Sequence, residues 1–168
     1  KAFLFATTKI VTTLGGSITS FDGDRVMGVF IGDRKNSNAA TAALKINYAV
    51  SEIIRPRIRD YFTSMRESGF EVSHATVVDT SEILAVRAGQ RGSNDLIWVG
   101  RAPNLAARLC SIREDGFGSY ISDDVFKKLA EDVKYGGSER KPMWESRSYN
   151  DRGENWSIHR SSWTWNLA

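Results

Sequence analysis

The order in which helical and extended patterns follow one another most restricts how this chain can fold. Apolar residues recur at helical spacing over residues 3–14, and a pair of glycines follows where a helix is expected to end. Extended patterns at 18–21 and 25–31 then flank an Asp-Gly-Asp turn at 22–24, which is typical of a hairpin. A broad apolar face over residues 39–65 predicts a long helix after this hairpin.

The remaining patterns mix helices and strands without strict alternation. Pro56 should kink or split the long helix, because proline lacks the N–H that a helix interior needs. The patterns further along the chain predict strands at 72–78, 83–88 and 96–99, a loop at 89–94, a helix at 103–112, a helix capped by Ser122, and a closing hairpin around 150–153. This order favours an α+β fold with a largely antiparallel sheet over a doubly wound parallel one.

Length and cysteine content limit the class of protein further. The 168 residues suit one domain that spans residues 1–168. A single cysteine, Cys110, excludes an internal disulfide and indicates a reducing, cytoplasmic compartment. No run of about 18 apolar residues occurs, so we expect neither a membrane-spanning helix nor a membrane partner. The sequence begins at Lys1 inside a helical pattern, and we expect a first strand of the domain to lie upstream of it.

The positive charge is concentrated in one region of the chain. The formal net charge is only +3, yet residues 83–113 contain five arginines and one acidic residue. Guanidinium groups suit phosphate because their planar fork pairs with two oxygens at once. A solvated basic face is the alternative, and a charge this small does not require a nucleic-acid partner.

Two short motifs contain residues suited to chemistry. Asp24 stands at the tip of the first predicted hairpin, where a carboxylate held by strands suits Mg²⁺ or Mn²⁺, although Asp-Gly is also ordinary turn chemistry. Asn104 and Arg108 are four residues apart and therefore share one face of the predicted helix at 103–112. An amide beside a guanidinium near a helix start can hold a sugar and a phosphate, although an ordinary exposed helix face has the same composition.

Together the two motifs resemble those of the class III nucleotidyl cyclase catalytic domain. That family has a Gly-Asp hairpin followed by an apolar strand, here Gly23 and Asp24 with residues 26–30, and later a Gly-x-x-x-Asn-x-x-x-Arg helix, here residues 100–108. The resemblance covers about residues 3–135. It implies a ferredoxin-like α+β domain with a mostly antiparallel sheet flanked by helices. It also implies a head-to-tail homodimer whose active sites are shared between the two subunits.

The resemblance also implies a reaction and roles for particular residues. The ribose 3′-hydroxyl of a nucleoside triphosphate would attack its own α-phosphorus, giving a 3′,5′-cyclic monophosphate and pyrophosphate. Two divalent ions, Mg²⁺ or Mn²⁺, would assist, with Asp24 as the second metal-binding aspartate and the first on the strand expected upstream. Asn104 would bind the substrate by orienting its ribose. Arg108 would stabilise charge at the transferring phosphorus.

The substrate-binding positions that read the base depart from the purine cyclases. Ser20 stands where those enzymes have a lysine, and Ile97 where they have Asp, Cys or Thr. The absence of this polar pair indicates that the domain either binds another base or is inactive, because polar contacts are the main source of discrimination between bases. Arg-Gly-Ser-Asn-Asp-Leu at 91–96, the run 100–104, and His-Arg-Ser-Ser-Trp at 159–163 resemble the bacterial pyrimidine cyclases of Pycsar anti-phage systems.

The narrower resemblance implies conversion of UTP, or of CTP, to cyclic UMP or cyclic CMP as a second messenger in anti-phage defence. We favour UTP, although no single residue decides between the two. A purine cyclase and an inactive nucleotide-binding module remain the alternatives. A third alternative is single-stranded nucleic-acid binding by the C-terminal aromatic and arginine residues.

The C-terminal segment is rich in tryptophan and arginine. Four of the five tryptophans lie there, and their alternating spacing favours packing of one hairpin face on the core. Lys141 and Arg160 are candidates for binding the triphosphate. His74 and His159 have no second ligand at metal spacing, so we do not expect a zinc site. Cys110 should be a small core residue.

Overall fold

The structure is a computed structural model that describes residues 1–90, 93–151 and 153–167. Its helices follow the predicted order, with shorter pieces where one long helix was expected. The helical segments are α1 (Ala2–Thr13), α2 (Lys35–Tyr48), a π-helical stretch (Ala49–Ile54), α3 (Arg55–Tyr61), α4 (Thr63–Ser68), α5 (Arg101–Leu109), α6 (Asp123–Lys127) and α7 (Glu131–Lys134). Among the described residues, no helix is both long enough and apolar enough to cross a membrane.

The strands are mostly antiparallel, as the sequence predicts. They are β1 (Ser17–Asp22), β2 (Arg25–Val29), β3 (Thr76–Val78), β4 (Ile83–Gln90), β5 (Ser93–Gly100), β6 (Ser119–Ser122), β7 (Tyr135–Gly136), β8 (Lys141–Pro142), β9 (Glu145–Asp151) and β10 (Glu154–Ser161). A four-stranded sheet has the order β3-β6-β10-β9, and only its β3–β6 pair is parallel. β1–β2, β4–β5 and β7–β8 are separate antiparallel pairs. The α+β prediction is therefore confirmed.

The long helix changes its geometry beside Pro56 but is not split there, because helical backbone continues from Lys35 to Tyr61. The π-helical stretch ends at Ile54, and Pro56 lies in the first turn of α3. A proline ring clashes with the carbonyl four residues earlier, which here belongs to Glu52 inside the π-helical stretch. A wider helical turn at that point relieves the clash, and bulges of this kind commonly bend helices. The single helix predicted for residues 39–65 is thus α2 and α3 joined by this stretch, followed by α4 after the extended residue Phe62.

Helix α2 contributes to two separate apolar clusters. Ala40 and Leu44 are fully buried in a cluster with residues of β6, α6 and α7. Ala42 and Ile46 pack instead with Ile10 of α1 and with the π-helical stretch. The many alanines of α2 allow neighbouring elements to approach its backbone on both sides. Two of the three apolar clusters of the described residues therefore include this helix.

Three boundaries differ from the sequence-based expectation. The strand predicted at 72–78 is only Thr76–Val78, so its first half is irregular backbone. The loop predicted at 89–94 is wrong in part, because Gly89 pairs with Asn94 and extends the β4–β5 ladder towards its tip; Arg91 and Gly92 lie outside the described residues. Helix α5 begins two residues earlier than predicted, which puts Pro103 at its third position.

The predicted C-terminal hairpin is confirmed, with β9 and β10 paired from Glu145 and Arg160 up to the turn. Trp144 is buried, and its indole N–H donates to the Val133 carbonyl at 2.8 Å. Trp163 and Trp165 pack against the same cluster. These three tryptophans therefore pack on the core, as expected, but they lie outside the paired strands of the hairpin rather than on one of its faces. Cys110 is only partly buried, which corrects its expected place in the core.

His74 is buried without a hydrogen-bond partner for either ring nitrogen among the described residues. It lies against Gly118, where a Cβ atom would come within 2.5 Å of both the His74 ring and the Asn47 side-chain oxygen. A side chain at position 118 therefore has no room. Burial, and then the positive charges of Arg55 and Arg113, lower the pKa of His74 to about 4.

We expect the neutral state of His74 to make the fold acid-sensitive. Its pKa is lower in the folded protein than its usual value of about 6.5, so between these values the unfolded chain binds a proton that the folded chain does not. The free energy of unfolding should be unaffected above about pH 6.5 and should fall by up to about 3 kcal/mol as the pH drops towards 4. Urea unfolding across this range should show a weaker pH dependence in His74→Gln; equal slopes in the two proteins would contradict the assignment.

Candidate active site

Helix α5 carries both residues of the second motif, and one face of this helix is buried. Leu105 and Leu109 are buried, and they pack in one cluster with Tyr120 of β6 and Ile158 of β10. The amphipathic spacing of the helix puts Asn104 on its exposed side. Its amide forms no hydrogen bond with any residue that the structure describes, so it is free to bind a ligand.

The Arg108 side chain is held by the β9–β10 hairpin. Its Nε donates to the Asp151 carboxylate at 2.7 Å, and its Nη1 donates to the Glu154 carboxylate at 2.9 Å. The guanidinium carbon lies 5.9 Å from the centre of the Trp156 ring. The hydrogen bonds that Arg108 donates to Asp151, and then to Glu154, raise the pKa of Arg108 above its usual value. The group therefore keeps its positive charge in a fixed orientation.

The start of α5 is anchored by a network around a buried carboxylate. Arg101 donates to the Thr80 carbonyl at 2.7 Å and to the Asp124 carboxylate at 2.6 Å, and it lies 3.4 Å from Asp79. The Asp79 side chain is fully buried and accepts a hydrogen bond of 2.5 Å from the Ser122 hydroxyl. This network joins the end of β3, the start of α5 and the start of α6.

The first motif forms the predicted hairpin, with Asp24 exposed in its turn. Gly23 has a φ of +62°, a conformation that favours glycine at this turn. The neighbouring Asp22 forms an ion pair with Arg25 across the turn. The Cys110 thiol, and then Asp22, raise the pKa of Arg25 above its usual value. Among the described residues, no hydrogen bond or ion pair joins this hairpin to Asn104 or Arg108.

Asp24 is free to act as a metal ligand. Its carboxylate forms no hydrogen bond or ion pair with the described residues. No group of three His, Cys, Asp or Glu side chains with the geometry of a metal site occurs within 1–90, 93–151 and 153–167. The described part of the chain therefore offers one carboxylate at this position rather than a complete set of ligands.

Comparison with known proteins assigns the family. No protein-family model matches the chain. A uridylate cyclase from Xanthomonas perforans is 43% identical over 167 residues, which cover 99% of this chain and 69% of that protein. A uridylate cyclase from Rhodovulum sp. (strain MB263) is 40% identical over 163 residues, which cover 97% of this chain and 68% of that protein. The chain belongs to the uridylate cyclase family.

Solved structures agree with this uridylate cyclase assignment at the level of the fold. The crystal structure of the guanylyl cyclase Cya2 matches with a TM-score of 0.68 at 15% identity, over 99% of this chain and 79% of that one. A bacterial light-regulated adenylyl cyclase matches with a TM-score of 0.69 at 18% identity, over 99% of this chain and 44% of that one. The predicted class III nucleotidyl cyclase fold is confirmed.

In this member of the uridylate cyclase family, the two base-reading positions lie on different hairpins. Ser20 is exposed on β1, where it pairs with Met27 of β2. Ile97 pairs with Val86 in the separate β4–β5 sheet, and 48% of its surface is exposed. Their contact with a base stays a prediction.

The candidate triphosphate residues have partners within the chain. Arg160 pairs with Glu114 and Glu145, both at 3.1 Å, and its guanidinium carbon lies 3.6 Å from the centre of the Phe117 ring. Lys141 pairs with Glu139 on the surface. These contacts give Arg160 a structural role on the β9–β10 hairpin.

Sequence reasoning did not find Asp79, Asp151 or Glu154.

The anchor of α5 should contribute to stability. Arg101→Ala removes a cation beside the buried Asp79 carboxylate, and leaving a buried charged group without its partner is costly. We expect the free energy of unfolding to fall by about 1–3 kcal/mol in a urea titration. Arg34→Ala is the control, because Arg34 and Asp132 form an exposed pair at 3.3 Å that should contribute little. Equal losses in the two variants would contradict the anchor.

Proposed function

We propose that this chain converts UTP to 3′,5′-cyclic UMP and pyrophosphate, with CTP conversion to cyclic CMP as the variant of the same chemistry. The observation that carries the proposal is its 40–43% identity to uridylate cyclases over nearly its whole length. The free Asn104 amide and the charged, oriented Arg108 on α5 support it. A role in anti-phage defence is proposed on the sequence resemblance alone, and a cytoplasmic location on the single cysteine.

The reaction is an in-line displacement within one nucleotide. The ribose 3′-oxygen forms a bond to the α-phosphorus while the bond from that phosphorus to its bridging oxygen breaks. Pyrophosphate leaves with the bridging oxygen, and the hydroxyl proton is lost to water. Because the nucleophile and the leaving group belong to one substrate, positioning and charge stabilisation supply most of the catalysis.

Two residues of α5 would supply this positioning and stabilisation. Asn104 would hydrogen-bond the ribose and bring its 3′-hydroxyl into line with the phosphorus. Arg108 would donate to the phosphate oxygens as negative charge develops on them. The guanidinium is held in place for this role by its hydrogen bonds to Asp151 and Glu154.

Asp24 would bind a divalent ion at the first hairpin. Two such ions, Mg²⁺ or Mn²⁺, would supply Lewis-acid activation of the hydroxyl and would neutralise charge on the departing pyrophosphate. The exposed carboxylate without a partner fits this role, since hard cations prefer oxygen ligands.

The base-reading positions favour a pyrimidine. Ile97 has no hydrogen-bonding side-chain group, so it cannot form the polar pair that purine cyclases place at these two positions. Ser20 retains one hydroxyl, which can donate and accept a single hydrogen bond. A purine cyclase with unusual contacts and an inactive nucleotide-binding module are the competing interpretations that activity measurements separate.

A homodimer with shared active sites is part of the proposal. Residues opposite one another in an antiparallel pair lie on the same face, so Leu84, Val86, Ile97 and Val99 form one apolar face of the β4–β5 hairpin. All four are exposed, between 39% and 63% of their surface. An apolar face of this kind commonly marks a protein interface. A second copy of the chain suits it, because the resemblance implies that each site takes residues from two subunits.

The full-length protein incubated with Mn²⁺ and each of ATP, GTP, CTP and UTP should form mainly cyclic UMP. Asp24→Ala and Arg108→Ala should each reduce product at least about 100-fold without unfolding the domain, as expected when a ligand or a charge-stabilising donor is removed. Asp132→Ala and Arg34→Ala are matched surface controls. Cyclic AMP or cyclic GMP as sole product would refute the pyrimidine assignment, and no product at all would favour the inactive module.

The dimer interface is testable by placing charge on the apolar hairpin face. Leu84→Glu and Val99→Glu should shift the protein from dimer to monomer in light scattering and lower its activity in parallel, because a buried unpaired charge opposes association. Tyr61→Glu on α3 is the control, since Tyr61 is also an exposed apolar residue but lies away from this hairpin. A parent protein that is monomeric and fully active would contradict the shared site.

A further inference from the structure

The contacts of Arg108 have a consequence for how the guanidinium can meet a substrate. An arginine has five N–H donors. Three of them are used by one hairpin: Nε and Nη1 donate to the carboxylates of Asp151 and Glu154, and Nη2 donates to the Asp151 carbonyl at 3.4 Å. Each nitrogen therefore has one contact to the turn between β9 and β10. Two N–H groups remain without a partner among the residues that the structure describes.

The free part of the guanidinium is accessible. Its side chain retains 34% of its exposure, so the hairpin does not enclose it. The two carboxylates fix the plane of the group from one side, and Trp156 lies 5.9 Å from its carbon atom. A planar group held in this way presents its remaining donors, one on Nη1 and one on Nη2, in fixed directions. Two N–H donors suit two oxygens of a phosphate group.

We propose that Asp151 and Glu154 are positioning residues for Arg108. They hold its guanidinium so that the two remaining N–H groups face the phosphate at which the cyclisation occurs. This inference rests on the proposed function, because it assumes that Arg108 stabilises the transition state. Asp151 is the principal partner, since it binds through both its carboxylate and its backbone carbonyl and retains only 21% of its side-chain exposure.

Less conformational entropy is lost on reaching the transition state when the guanidinium is already held in position than when it is mobile. An arginine side chain otherwise samples many rotamers, and this freedom must be lost when it binds phosphate. The contacts with the hairpin restrict these rotamers when the protein folds, so this freedom is not lost again in each catalytic cycle. Loss of the carboxylates should therefore lower kcat, whereas substrate affinity should change little if Arg108 acts mainly on the transition state.

The experiment compares kcat and KM for UTP in the full-length protein with Mn²⁺. Asp151→Ala should lower kcat by about 10- to 100-fold, while KM changes by less than about threefold. Asp151→Glu, which keeps the charge, should recover part of the loss, and Glu154→Gln should have a smaller effect. In NMR spectra, the Arg108 Nε–Hε signal should move in Asp151→Ala. That readout does not depend on activity.

Glu145→Gln is the matched control, because Glu145 lies on the same strand but pairs with Arg160. It should leave kcat unchanged. A rise in kcat in Asp151→Ala would show that the hairpin restrains Arg108 instead of positioning it. An equal loss in Glu145→Gln, or a matching loss of thermal stability, would show a structural role only.

Failure of the proposed function has a different signature. If Arg108→Ala keeps near-normal turnover, Arg108 has no role in the reaction, and both proposals fall. If Arg108→Ala loses activity but Asp151→Ala and Glu154→Gln keep the parental kcat, only the positioning role is refuted.

Discussion

The packing of α2 on two sides is the constraint on which the rest of the structure depends. Its alanines let α1 approach one face and β6 the other. Its backbone and side chains also hold distant segments: the Ala43 carbonyl accepts from the Ser119 hydroxyl, and the Asn47 amide donates to the Trp163 carbonyl at 3.0 Å. The four-stranded sheet and the C-terminal segment are thus both fixed to α2, and α5 packs on that sheet.

Much of the fold was predictable because local patterns and tertiary packing agree. The Asp-Gly turn and the Ser122 cap are local signals, and each lies where the sequence predicts it. The strand predicted from Val72 begins only at Thr76, because strand pairing needs a neighbour and the parallel contact with β6 starts at that residue. Periodicity alone does not show where a partner strand ends.

The candidate site was predictable only for the residues that belong to short motifs. Asp24, Asn104 and Arg108 stand in patterns that identify them. The carboxylates around them do not: Asp79 precedes Arg101 by 22 residues, and Asp151 follows Arg108 by 43. Such pairs are set by the three-dimensional arrangement of strands and leave no spacing signal. The excess of arginine in residues 83–113 was therefore easy to see, but its internal partners were not.

The contact between Arg108 and the β9–β10 hairpin also bears on how the protein folds. It joins a helix to a turn 43 residues later, so a long loop must close before it can form. Local elements such as α1 and the β1–β2 hairpin need no such closure and can form early. A partly folded chain can therefore contain both motifs and still leave its arginine unoriented. Correct orientation of this side chain is a mark of completed folding.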